Sequence, residues 1–217
     1  PFIGEQNSHM WMNPYNVKGM VYTLWSTLRT NLTDSAKLTI FDQNYLNYQT
    51  QLDNVISLIE SKKSQYSGLK VVETHPAFFY LTELLNITRI DVVEKKHDVE
   101  PSAVDIQNVV DNMTATGCKL IFHQADIEPK QANMIARNAA INGTIILGIP
   151  LLGMTGYNGN VIETYIDMIQ YNLDAIAHPI TPDEADKYWA SLTGSAIDGY
   201  NSFIFLLLSI VSVLGLI

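Results

Sequence analysis

The sequence predicts an α/β fold: a parallel four-stranded sheet with flanking helices, preceded by a long linking helix and followed by a C-terminal hydrophobic helix. Three observations carry this. From residue 69 onward, short β-branched runs alternate four times with segments of helical spacing. Before them, Tyr45, Leu52, Val55, Ile56, Leu58 and Ile59 recur at helical spacing between polar residues. After them, residues 200–217 carry no charged side chain.

Taken in order, residues 1–14 are rich in turn formers (Gly4, Asn7, Ser8, Asn13, Pro14) and read as a loop. Asn13 before Pro14 is a turn or cap device, and residues 17–32 read as a helix. Thr33, Asp34 and Ser35 form a turn and cap cluster. The linking helix covers residues 44–64 and spans ~30 Å, with Lys62 and Lys63 near its C-terminus, where cations suit the helix dipole. Strands are expected at 69–73, 91–94, 120–123 and 144–149, and helices at 77–85, 102–113, 130–140 and 161–176. Such β–α alternation implies a parallel sheet with helices on both faces, and in open sheets of this kind ligands sit beyond the carboxyl ends of the strands. Residues 179–199 read as a linker. Residues 200–217 reach the lower length limit for a membrane-spanning helix, roughly 18 residues, and form a candidate membrane anchor.

Composition narrows the function. Of 217 residues, 47% are hydrophobic and 16% charged, enough apolar material for a real core. The net charge of -9 excludes a nucleic-acid partner, which requires a basic face against phosphate. A single cysteine, Cys118, excludes an internal disulfide framework and a cysteine-rich zinc site. Asn-x-Thr sequons at Asn31, Asn86, Asn112 and Asn142 permit glycosylation of an exported protein.

The candidate chemistry lies in five histidines: His9, His75, His97, His123 and His178. His75 and His123 each close a strand at its carboxyl end, so both project toward one sheet edge, whereas His9 lies in a loop entering the first helix. Neutral imidazole is the commonest zinc ligand, and three together make a zinc site. His97 and His178 read as ordinary surface residues. No HExxH and no GxSxG occurs, so neither a zinc hydrolase nor a serine hydrolase is indicated, and the chain reads as a non-enzyme.

Five segments resemble, in order, the zinc- and manganese-binding solute-binding proteins of ABC importers. His9-Met-Trp-Met-Asn-Pro-Tyr-Asn is similar to that family's H-x-W-x-(D/N/S)-P-x-N motif. Thr74-His75-Pro76-Ala77-Phe78-Phe79-Tyr80-Leu81 is similar to its S-H-x-A-F-x-Y-L, and Glu100-Pro101-Ser102-Ala103 to its EPSA helix start. Ile121-Phe122-His123-Gln124 followed by Pro129-Lys130, and the helix YIDMIQYNL from Tyr165 to Leu173, complete the series.

The resemblance implies two α/β lobes joined by a stiff helix, with a divalent metal held between them. His9 then matches a ligand from the first lobe and His75 one from the second. Histidine at position 75 favours Zn2+, whereas manganese members carry glutamate there, and Mn2+ is the alternative. The implied partners are an ABC permease and the membrane, and the implied place is the extracytoplasmic cell envelope. The implied domains are 1–42 as the remnant of an N-terminally truncated first lobe, 43–67 as the linking helix and 68–178 as the C-terminal lobe. Three departures weaken the site: the family's first ligand histidine belongs to a part of the first lobe that this sequence does not include, no acidic residue stands near Gly153, where a late ligand belongs, and Gln124 replaces the usual glutamate. His123, beside it, is a candidate compensating ligand. Glu73 is either an orienting acceptor for His75 or a surface carboxylate at the sheet edge. A tethered adhesin, or a module that has lost metal binding, is the competing expectation.

Overall fold

A computed structural model of the chain describes residues 7–95, 99–157 and 159–193. Two antiparallel helices come first. Helix α1 (Pro14–Arg29) starts at Pro14 because Asn13 caps it, its side chain accepting from the Tyr15 amide. Helix α2 (Ser35–Tyr66) is capped by Asp34, which accepts from the Ala36 and Lys37 amides. The cap cluster read from the sequence is therefore the start of the long helix, which begins nine residues before Asn44 and runs for 32 residues, or ~48 Å.

The α/β region follows: β1 (Lys70–Glu73), α3 (Phe79–Leu84), β2 (Thr88–Val92), α4 (Ala103–Thr116), β3 (Leu120–Gln124), α5 (Lys130–Ala136) and β4 (Thr144–Gly148). All pairings in this sheet are parallel and the strand order is β2-β1-β3-β4. Each strand is a short β-branched run, and the helices between them are closed by local devices. Ser102 and Asp105 form a capping box on α4, and Gly117 ends it at φ 67, where glycine carries no Cβ penalty. The connections from β1 and β3 leave in opposite directions, to β2 and β4. Their carboxyl ends therefore flank the switch point of the sheet, where crevices open in this architecture.

The core fills the space between sheet and helices. Phe78 and Phe122 stack with centroids 3.9 Å apart, and β4 passes so close that a Cβ on Gly148 would lie 2.4 Å from the Phe122 ring. Only glycine fits there.

Four further expectations need correction. The second strand runs Thr88–Val92 rather than 91–94. Strands β5 (Met154–Thr155) and β6 (Val161–Ile162) pair antiparallel, and the following helix α6 (Tyr165–Ala177) starts at the Thr164 cap rather than at Val161. Gly159, at positive φ, lies in the turn between the two strands. Helix α5 stops at Ala136, short of residue 140. Residues 179–193 do not form a linker. Ile180 exchanges backbone hydrogen bonds with Ile145 of β4, and helix α7 (Pro182–Thr193) buries Ala185 and Tyr188 against the lobe. Arg137 of the α5 C-cap holds Asp183 and Asp186 on α7. The remainder of that segment and the expected anchor at 200–217 lie outside the described residues. Among the described residues, no helix is long and apolar enough to cross a membrane.

Candidate metal centre

The site is built at the carboxyl end of β1. Strand register sets its first contact. Glu73 pairs with Val92, and the Val93 and Glu94 amides continue the pairing by donating to the carbonyls of Glu73 and Thr74. This extension carries Glu94 alongside His75, whose Nδ1 lies 2.5 Å from Glu94 Oε2. A carboxylate only accepts, so Nδ1 carries the proton, and in the neutral ring Nε2 carries the lone pair. A carboxylate behind a histidine is the arrangement that orients an imidazole toward a metal and raises its basicity.

His9 is set by a parallel device. Asn7 Nδ2 donates to the Pro76 carbonyl at 2.7 Å, which fixes the amide so that Oδ1 faces the other way. That oxygen accepts from the His9 backbone amide and from His9 Nδ1, each at 2.9 Å. Nδ1 is again the protonated nitrogen and Nε2 the one with the lone pair. The segment is pinned further: Tyr80 donates to the Asn7 carbonyl at 3.1 Å, Trp11 Nε1 to the Pro150 carbonyl at 2.8 Å, and Tyr165 to the Trp11 carbonyl at 2.8 Å. The His9 and His75 rings meet edge to face with centroids 5.1 Å apart. The chain thus brings together two imidazoles that start 66 residues apart in sequence.

His123 is placed differently. It is only 2% exposed, its Nδ1 accepts from Thr74 Oγ1 at 2.9 Å, and its Nε2 donates to the Ile127 carbonyl at 2.9 Å. Both nitrogens are committed within the protein, and burial lowers its pKa to about 4, so the ring is neutral. His75, Glu94 and His123 line one cavity of about 390 Å³ together with Thr74, Glu128 and Lys130. Among the described residues, no group of three or more His, Cys, Asp or Glu side chains is arranged to hold a metal ion. His178 sits exposed at the end of α6, paired with Asp174. His97 lies outside the described residues.

Glu73 neither orients His75 nor faces solvent. It is fully buried, accepts from Thr82 at 3.4 Å, and burial raises its carboxyl pKa to about 7 against the pull of Arg89. Two acidic residues at the site escaped the sequence reading. Glu94 was seen only as the end of a strand; the signal was its place next to His75 once β2 lies beside β1. Asp126, two residues past Gln124, has a buried oxygen without a hydrogen-bond partner. Burial raises its pKa and His75 opposes that shift.

The metal ABC transporter substrate-binding lipoprotein of Lactococcus lactis is 22% identical over 80% of this chain and 54% of its own length. The manganese ABC transporter substrate-binding lipoprotein PsaA of Streptococcus anginosus is 19% identical over 82% of this chain and 57% of its own length. The chain thus spans about half the length of these curated relatives. Among solved structures, the Cd-bound periplasmic metal-binding protein of Candidatus Liberibacter asiaticus superposes with a TM-score of 0.64. It has 17% identity and covers 83% of this chain and 64% of that one. The family model for ZnuA, the zinc-uptake complex component A, periplasmic, matches residues 3–178, and the chain belongs to that family.

Proposed function

We propose that this chain is part of an extracytoplasmic solute-binding protein that captures a divalent transition metal and delivers it to an ABC permease. The observation that carries this is the pair of imidazoles, His9 and His75, each held through Nδ1 on an oxygen acceptor, with Nε2 as the coordinating nitrogen. Histidine at position 75 favours zinc over manganese, since imidazole suits zinc and carboxylate suits manganese. Capture and release involve no bond making in the substrate, so no general base or nucleophile takes part. The names of the relatives, which cover zinc, manganese and lipoprotein forms, support this reading.

Two imidazoles are fewer than the three or four protein ligands of a tetrahedral zinc site. The remaining ligands come, in this proposal, from a further lobe of the kind that the family resemblance implies, and the apolar residues 200–217 tether the protein beside its permease.

Zinc titration by calorimetry of the full-length protein tests the proposal. Structural zinc binding of about 10–16 kcal/mol shared over four ligands gives ~2.5–4 kcal/mol per ligand, so His75→Ala or His9→Ala should each weaken zinc by roughly 10²–10³-fold. Circular dichroism melts confirm that the variants fold. A protein that binds no divalent metal, or two variants that bind it normally, would overturn the proposal in favour of a tethered or degenerate module.

A further inference from the structure

The four sequons Asn31-Leu-Thr, Asn86-Ile-Thr, Asn112-Met-Thr and Asn142-Gly-Thr all carry threonine, and no Asn-x-Ser occurs in the chain. All four asparagines are exposed. Their local structures divide them into two pairs. Asn31 donates through Nδ2 to the Thr27 carbonyl at 3.1 Å, and Asn112, inside α4, donates to Asp91 at 2.7 Å. Their amide nitrogens are engaged, and Asn112 is also held in helical backbone. Asn86 stands in a turn and Asn142 directly follows one, at φ 54 and φ 46, and neither side chain makes a hydrogen bond among the described residues.

Left-handed backbone explains why asparagine, rather than most other residues, occupies positions 86 and 142. It does not require threonine two residues on. In both cases that threonine, Thr88 or Thr144, opens an edge strand of the sheet, β2 or β4. Because the sheet is parallel, both asparagines lie at its amino edge. His75 lies past the carboxyl end of β1, and a five-residue strand separates the two edges by about 16 Å.

We propose that Asn86 and Asn142 are acceptors of N-linked oligosaccharide, placed on the sheet edge opposite the metal centre. The co-reactant is a lipid-phosphate-linked oligosaccharide, used by a transferase on the outer side of the membrane. The Nδ2 nitrogen forms a bond to C1 of the first sugar. The C1–O bond to phosphate breaks, the phosphate leaves with the electron pair, and one amide proton passes to a base of the transferase. Glycans at these positions leave the carboxyl edge, with His9, His75 and Glu94, open to metal.

The test is peptide mapping by mass spectrometry of the protein isolated from its native envelope. The peptides bearing Asn86 and Asn142 are expected to carry sugar mass at higher occupancy than those bearing Asn31 and Asn112. Thr88→Val and Thr144→Val should each abolish the modification at its own site while keeping a β-branched residue in the strand and asparagine at positive φ. Zinc affinity should change less than 2-fold in either. Absence of glycan from either native peptide, or higher occupancy at Asn31 and Asn112, overturns the proposal without requiring any variant to fold. Survival of the sugar in a folded threonine variant also overturns it.

Discussion

His75 and His123 stand at the carboxyl ends of neighbouring strands and line the same cavity, yet their surroundings give them different chemistry. His75 keeps one nitrogen on a carboxylate, which orients its ring. His123 has both nitrogens hydrogen-bonded inside the protein, a hydroxyl on one side and a carbonyl on the other. The difference lies in what sits across from each ring. β2 extends past β1 and delivers Glu94 to His75, whereas the β3–α5 loop folds back and delivers the Ile127 carbonyl to His123. Position at a strand end puts a histidine at the crevice; the second partner decides whether it can coordinate.

The largest effect expected from this contrast is in the pH dependence of stability. His123 has a pKa of about 4 in the folded protein against an ordinary value of 6.5. The unfolded chain therefore binds the extra proton between these values. The stability that depends on a neutral His123 is fully present above pH 6.5 and is lost as pH falls toward 4, by about 3 kcal/mol. Glu73 acts in the opposite sense. Its folded pKa of about 7 lies above the ordinary 4.5, so its contribution is full below 4.5 and is lost as pH rises toward 7. The two slopes offset each other in the wild-type protein. A urea-denaturation comparison of wild type with His123→Gln cancels Glu73 and exposes the histidine. The stability advantage of wild type should shrink by about 3 kcal/mol between pH 7 and pH 4. A constant difference would mean that His123 is not a neutral buried ring.

How much of this was legible in sequence follows from which interactions are local. Three of the four strands, the caps at Asn13 and Asp34, and the candidacy of His9 and His75 depend on nearby residues and could be read directly, whereas the second strand runs Thr88–Val92 rather than 91–94. The β5–β6 pairing was missed because two-residue strands leave almost no alternation to detect, although Gly156 and Gly159 stand between them. Helix α7 was missed because its opening Thr-Pro-Asp-Glu reads as a turn, while the ion pairs of Arg137 that hold it come from 46 and 49 residues away. Glu94 and the locking of His123 depend on strand register and on a returning loop, which no single-sequence pattern records. Those two non-local facts are also what separate His75 from His123.

Glu94→Gln sharpens the His75 side of the comparison at the next level of magnitude. Glutamine keeps the side-chain length and an oxygen acceptor for His75 Nδ1–H but removes the negative charge. The expected cost is about 10–100-fold in zinc affinity, typical for an outer partner of a metal-binding histidine. It should be smaller than the loss in His75→Ala, and calorimetry on both variants at one pH checks the order. Equal losses would make Glu94 a ligand in its own right rather than an orienting group.

The smallest effect is the most discriminating. His123→Gln should change zinc affinity by less than about 3-fold, because the nitrogens it removes face Thr74 and the Ile127 carbonyl. Its cost should appear instead in stability. A buried acceptor left without its donor costs about 1–3 kcal/mol, and each kcal/mol lowers Tm by about 2–4 °C in a domain of this size. A fall in Tm with zinc binding intact would place His123 in the scaffold of the β3 end. A loss of zinc affinity comparable to that of His75→Ala, with Tm unchanged, would show the reverse. The ring would then leave Thr74 and Ile127 to become the third imidazole of the site, compensating for the glutamate that Gln124 replaces, as the sequence alone suggests.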